Sequence, residues 1–93
     1  VKIMDTSADM ALILSIISSF RDKPMPRNLV VFGEVGLSGE IRPVSNGQER
    51  LREAVKHGFT QAIIPSANIP KKPIQGLKVI GVKKISEALQ ALF

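Results

Sequence analysis

The stretch from Met10 to Ile17, which reads MALILSII, constrains the fold most because almost every residue in it is apolar. Asp5 and Thr6 precede it and can cap a helix that runs from about Ser7 to Phe20. The apolar residues go nearly all the way round such a helix, so we expect it to be buried on most sides. The run is shorter than the roughly 18 residues of a membrane span, and a core helix is therefore the interpretation.

Length and composition limit what can surround this helix. The 93 residues are enough for one small domain, spanning 1–93, and the 44% apolar content makes a packed core feasible. There is no cysteine, which excludes disulfides and thiolate zinc sites in this chain and suits a reducing cytoplasm. Thirteen Lys and Arg against eight Asp and Glu give a charge of +5, which is compatible with a nucleic-acid partner.

The remaining pattern alternates between strands and helices. Strands are predicted at 29–35 and 40–44, joined into a hairpin by the turn Gly36-Leu37-Ser38-Gly39. Further strands are predicted at 62–64 and 77–82, and an amphipathic helix ends the chain. The order α-β-β-α-β-β-α predicts an α/β layered fold with a mixed sheet. Val1-Lys2-Ile3 resembles the end of a strand and no Met precedes it, so we interpret the chain as an N-terminally truncated piece of a longer protein.

The segment PVSNGQERLREAVKHG, 43–58, predicts a helix whose start is built around a glutamine. Ser45 followed three residues later by Gln48 fits a capping box, and Gly58 is a good C-terminal stop. Gln48 is a working residue, a plain cap, or the replacement for a catalytic residue. The single histidine, His57, lies near the end of this helix, where it is expected to complement the helix dipole.

Few other residues suggest chemistry. Ser7 begins the apolar helix, where a hydroxyl could be presented as a nucleophile or serve as a cap. No set of His, Asp and Glu has metal-ligand spacing. The glycines at 33, 36 and 39 lack the Lys-Ser/Thr that follows a phosphate loop, so we interpret them as turn glycines.

Three segments together resemble the C-terminal domain of the bacterial RadA (Sms) family of DNA-repair proteins: DTSADMALILSIISSFRDKPMP, LVVFGEVGLSGEIRPVSNGQERLREAVKHGFTQAIIPSAN and LKVIGVKKISEAL. That domain is similar to the proteolytic domain of Lon, whose fold is shared with the second domain of a ribosomal protein. The resemblance covers essentially the whole chain. It implies a zinc-finger segment and a RecA-like ATPase core upstream, with zinc, ATP and Mg there and no cofactor in this chain.

The same resemblance implies a function for the longer protein. The family acts in homologous recombination, driving branch migration on DNA as a ring-shaped hexamer in the cytoplasm, with the recombinase RecA as a partner. No membrane association is expected.

Lon-type peptidases use a Ser–Lys dyad, and the resemblance places both positions in this chain. Ser7, in Thr6-Ser7-Ala8-Asp9, falls where the nucleophile would be, and Gln48, in SNGQER, takes the lysine's position. Glutamine cannot accept a proton near neutral pH, so Ser7 has no base. His57 is nine residues further along the helix, about 13 Å at about 1.5 Å per residue, and is a poor substitute. The resemblance thus implies vestigial positions and no peptidase, with Gln48 completing the cap begun by Ser45.

Two lysine pairs are the candidate nucleic-acid contacts. Lys71 and Lys72 lie on a loop between Pro70 and Pro73, and Lys83 and Lys84 follow a predicted strand. Lysines on loops can hold phosphates non-specifically, and no aromatic residue lies beside them to read bases. We therefore expect a non-catalytic scaffold domain that supports ring assembly and DNA engagement. The alternatives are an active Ser-dependent peptidase and a protein-interaction module without a DNA role, with the lysines only solvated.

Overall fold

The computed structural model describes residues 6–93, and within them the predicted helices are present, with three strands instead of the predicted two between the first and second helices. The predicted strand end at Val1–Ile3 and the cap at Asp5 lie outside the described residues. A 3-10 helix, Thr6–Ala8, leads into the first α-helix. The elements are α1 (Asp9–Arg21), β1 (Leu29–Val31), β2 (Glu34–Val35), β3 (Ile41–Arg42), α2 (Gly47–Lys56), β4 (Gln61–Pro65), a second 3-10 helix (Ser66–Asn68), β5 (Lys78–Val82) and α3 (Ile85–Leu92).

The main sheet has three strands in the order β1-β4-β5, and both of its pairings are parallel. Ala62 pairs with Val30 on one side and with Val79 on the other. β2 and β3 form a separate two-stranded antiparallel sheet, which is the predicted hairpin. The predicted α/β layered fold is confirmed, but the parallel and antiparallel pairings lie in two separate sheets and not in the single mixed sheet that was predicted.

Successive side chains of β4 enter two different cores, because neighbouring residues of a strand point to opposite faces. Ile63 packs with residues of α1 and α3, whereas Ala62 and Ile64 pack with Leu51 of α2. β4 is therefore covered on both faces, as expected for the middle strand of a parallel sheet. The α1 and α3 side holds Met10, Leu14, Ile41, Ile63, Val82 and Ala88, and the α2 side holds Phe32, Leu51, Ala62 and Ile64.

Gly33 divides the strand that the sequence predicted at 29–35. Its φ is +152°, and a Cβ built there would lie 2.9 Å from Met10 Cε and 3.2 Å from Pro65 Cγ. The chain bends at this position, so that β1 joins the parallel sheet and β2 joins the hairpin. Only glycine fits both the backbone angle and the space.

The prediction that α1 is buried on most sides is wrong. Met10 and Leu14 are fully buried, but Leu12, Ile16 and Phe20 are 62%, 59% and 91% exposed. These three residues recur every four positions and form one row on the helix surface. Within residues 6–93, one side of α1 packs against the sheet, and the row faces away from the core. No helix in this part of the chain is both long and apolar enough to span a bilayer.

Candidate nucleic-acid interface

The beginning of α2 is fixed by contacts with Asn68 of the second 3-10 helix. The Asn68 side chain accepts a 2.9 Å hydrogen bond from the Val44 N–H and donates one of 2.9 Å to the Val44 carbonyl. A Cβ on buried Gly47 would lie 2.7 Å from Asn68 Nδ2. Asn68 thus holds the chain before α2 against the carboxyl end of β4.

The predicted capping box at Ser45 and Gln48 is wrong. α2 is preceded by Asn46, which has a left-handed backbone with φ of 61° and makes no side-chain cap. The Ser45 carbonyl instead accepts a 3.1 Å hydrogen bond from Arg50 Nε, and Gln48 Oε1 accepts one of 3.3 Å from Arg52. The left-handed turn shifts Ser45 out of the position from which a hydroxyl reaches the first helical N–H groups. Gln48 therefore projects along the helix towards Arg52.

The other end of α2 follows the sequence prediction. The Gly58 N–H donates to the Val55 carbonyl and the Phe59 N–H to the Ala54 carbonyl, both at 3.0 Å, and Gly58 has a φ of +89°. This is the Schellman pattern that a C-terminal glycine permits. His57 caps the helix from an exposed position, with its Nε2 3.4 Å from Glu53 Oε1.

A basic cleft opens between α2 and the loop that connects β4 to β5. Its volume is about 340 Å³, and it is lined by Gln48, Arg52, Pro70, Lys71, Lys72, Pro73 and Ile74. We call this site the basic cleft. The structure thus brings the predicted lysine pair on the loop together with Gln48, the residue that was predicted to take the position of the Lon lysine.

The charges of the basic cleft are all of one sign. Arg52, Lys71 and Lys72 line it, and no carboxylate does. Among the ion pairs described for residues 6–93, none involves these three cations. The sequence reasoning missed Arg52, although its position four residues after Gln48 places both on one face of a helix.

Lys83 and Lys84 lie elsewhere, where β5 ends and α3 begins. The Lys83 carbonyl accepts a 2.8 Å hydrogen bond from Ile41, and Lys84 forms a β-bridge with Glu40. The Lys83 N–H donates to Glu87 Oε1 at 2.7 Å. Both lysines are exposed, as predicted, but their backbones contact Glu40 and Glu87 and they do not line the basic cleft.

Ser7 is 5% exposed and lies in the 3-10 helix just before α1, not at the α1 cap. Its carbonyl accepts a 2.8 Å hydrogen bond from the Gly33 N–H, which ties it to the bend between β1 and β2. Ser7 is therefore buried, with its backbone bonded to the bend, whereas Gln48 is exposed at the edge of the basic cleft. Within residues 6–93, no three His, Asp or Glu side chains cluster as a metal site requires.

The family model of the Lon protease (S16) C-terminal proteolytic domain matches residues 4–93. The chain belongs to this family of Lon C-terminal proteolytic domains.

Individual DNA repair proteins are similar to this chain over almost its whole length. The chain is 64% identical over 89 residues to a DNA repair protein RadA of Salmonella typhimurium, a match that covers 96% of the chain and 19% of the relative. It is 47% identical over 92 residues to the RadA of Bacillus subtilis, covering 97% of the chain and 20% of the relative. These matches confirm the resemblance to the Lon-like C-terminal domain of RadA. The chain spans about a fifth of the length of these relatives.

Proposed function

We propose that this chain is a non-catalytic Lon-like domain that holds DNA phosphates within a DNA-repair protein of the RadA type. The observation that carries the proposal is the basic cleft, in which Gln48 lies beside Arg52, Lys71 and Lys72. Gln48, which was predicted to take the position of the Lon lysine, lies on this cationic surface. The similar proteins are named DNA repair proteins, and we extend this role to the present chain.

The same observation argues against the alternative of an active peptidase. A serine nucleophile needs a base that removes its proton, and the amide of Gln48 is neither basic nor free, since its oxygen accepts from Arg52. His57 is at the far end of α2 and contacts Glu53. Ser7 is nearly inaccessible to a polypeptide substrate at 5% exposure.

The DNA contact is proposed to be with the phosphate backbone and independent of sequence. Lysine and arginine neutralise phosphates without reading base edges, and their contribution falls as salt rises. The basic cleft is free of carboxylates, whereas Lys83 and Lys84 lie close to Glu40 and Glu87. We therefore expect Lys71 and Lys72 to contribute more to DNA affinity than Lys83 and Lys84.

One surface of α1 supports assembly of several copies into a ring. The exposed row of Leu12, Ile16 and Phe20 is apolar surface that a second copy of the chain would remove from water. From the family resemblance we also propose a hexameric ring, branch migration on DNA, the recombinase RecA as a partner and a cytoplasmic location. The same resemblance is the basis for proposing zinc, ATP and Mg in other parts of a longer protein.

A comparison of two paired variants in the intact protein tests the DNA contact. K71Q/K72Q and K83Q/K84Q each remove two positive charges, so that net charge is the same in both. We expect K71Q/K72Q to weaken binding to duplexes of unrelated sequence equally, and more than K83Q/K84Q does. If neither variant changes the affinity for DNA, the result would support the alternative of a protein-interaction module without a DNA role. The exposed row on α1 favours that alternative.

A further inference from the structure

We propose that the basic cleft binds a phosphate monoester, the group found at a phosphorylated DNA end, in addition to contacting the phosphodiester backbone. The proposal rests on the proposed DNA contact for the identity of the ligand. It goes beyond that contact because it predicts a preference between two DNA molecules that differ only at one terminus.

The polar side chains that line the basic cleft present mainly hydrogen-bond donors. Gln48 Oε1 is occupied by Arg52 at 3.3 Å, which leaves the Nε2 amino group of Gln48 as the free end of the amide. Lys71, Lys72 and Arg52 carry donors and no acceptor. A ligand that suits this lining offers several acceptor oxygens and no donor, which describes a phosphate group.

The charge of the basic cleft matches a monoester better than a diester. Three cations line it without a carboxylate, and none of the ion pairs described for residues 6–93 neutralises them. A monoester carries about −1.5 to −2 at pH 7 because its second pKa is near 6, whereas each backbone diester carries one negative charge. The monoester therefore neutralises more of the positive charge of Arg52, Lys71 and Lys72.

The shape of the basic cleft suits one terminal nucleotide. About 340 Å³ is within the range of small-molecule sites, and Pro70, Pro73 and Ile74 give it an apolar wall beside the cations. The phosphate can meet the cations while the sugar lies against the prolines.

Both walls of the site are held in place. Asn68 fixes the start of α2 through Val44, and prolines at 70 and 73 flank the two lysines. Restricted walls reduce the entropy that binding must overcome.

The experiment measures the affinity of the intact protein for a labelled single-stranded oligonucleotide that ends in either a 5′-phosphate or a 5′-hydroxyl, by fluorescence anisotropy. We expect the phosphorylated form to bind roughly tenfold tighter, as three modest charge contacts imply. The variant R52Q/K71Q/K72Q should lose this preference. The matched variant R27Q/K56Q/K78Q removes three exposed charges outside the cleft and should keep the preference.

Further arms identify the source of the phosphate and separate this proposal from the proposed function. Competition by deoxyribose 5-phosphate against the phosphorylated oligonucleotide, lost in R52Q/K71Q/K72Q, would support the site and extend it to free sugar phosphates. Equal affinity for the two oligonucleotides, or a preference that survives in R52Q/K71Q/K72Q, would overturn the monoester proposal while a general loss of DNA affinity still supported the backbone contact. Competition by a glutamate-rich peptide but not by deoxyribose 5-phosphate would also overturn it.

Discussion

The Ser7 carbonyl accepts a 2.8 Å hydrogen bond from the N–H of Gly33, and the Gly33 carbonyl accepts one of 3.0 Å from the N–H of Met10. The bend between β1 and β2 is thereby tied to the entrance of α1 through both polar groups of one glycine. Met10, which follows this tie, is fully buried. Ser7, which was predicted to take the position of the Lon nucleophile, is thus part of the framework that closes the core.

Gly33→Ala should destabilise the protein strongly. The new Cβ would lie 2.9 Å from Met10 Cε at a backbone angle that L residues rarely adopt. We expect strain and overpacking together to lower the free energy of unfolding by roughly 3–4 kcal/mol, measured by urea titration. Gly58→Ala is the control, because Gly58 also has a positive φ but nothing lies within 4 Å of its Cβ. That variant should lose only about 1–2 kcal/mol, and equal losses would contradict the account.

The two leucines at 51 and 12 should respond differently to truncation. Leu51 is fully buried on the α2 side of the sheet, and Leu51→Ala should cost about 2–5 kcal/mol. Leu12 is 62% exposed on α1, and Leu12→Ala should change the free energy of unfolding of the unassembled protein by less than about 0.5 kcal/mol. A large decrease in the free energy of unfolding for Leu12→Ala, measured where the protein is unassembled, would instead support the prediction that α1 is buried on most sides.

The hairpin should carry a pH-dependent contact between Glu40 and Arg42. Arg42 Nη2 lies 2.8 Å from Glu40 Oε2, and this hydrogen bond is the main cause that lowers the pKa of Glu40 below its ordinary value. Because the pKa is lowered on folding, the contact stabilises the hairpin above the unfolded pKa and is lost as pH falls through the folded one. In an NMR titration, Arg42→Gln should move the pKa of Glu40 back up towards its ordinary value. Glu34→Gln should change it less, because the Glu34–Arg42 distance is 3.8 Å.

Ser7 should not support peptidase activity. We expect the intact protein to leave casein uncut and to show no labelling of Ser7 by a fluorophosphonate probe, because Gln48 cannot serve as the base. Ser7→Ala should leave DNA binding unchanged. Casein turnover that disappears in Ser7→Ala would establish the peptidase alternative.

Much of the architecture was predictable because local patterns determine it. The turn at 36–39 with flanking β-rich residues predicted the hairpin, and Gly58 ended α2 where a left-handed residue is needed. The division at Gly33 was not predictable, since it depends on Met10 and Pro65, which are distant in sequence. The capping box failed because the residue that precedes α2 is the left-handed Asn46 and not Ser45.

The candidate site was predictable only in parts. The two lysine pairs were identified as exposed basic residues, but sequence gave no reason to separate them. The loop that connects β4 to β5 faces α2 across the basic cleft, so Lys71 and Lys72 lie near Arg52 and Gln48, whereas Lys83 and Lys84 lie near the hairpin. Arg52 was missed because a single arginine on an exposed helix face carries no signal until the loop opposite it is placed.

The most direct test of the central claim is the salt dependence of DNA affinity in the intact protein. Replacing Lys71, Lys72, Lys83 and Lys84 by Gln removes four of the proposed phosphate contacts and leaves Arg52 in the basic cleft. The slope of log affinity against log salt should then shrink by up to about 3 to 4, at roughly 0.7 to 0.9 per contact. The matched variant K23Q/R27Q/K56Q/K78Q removes four other exposed charges and should leave the slope close to that of the unmodified protein. Equal slopes in the unmodified protein and the Lys71, Lys72, Lys83 and Lys84 variant would contradict the claim that this Lon-like domain holds DNA.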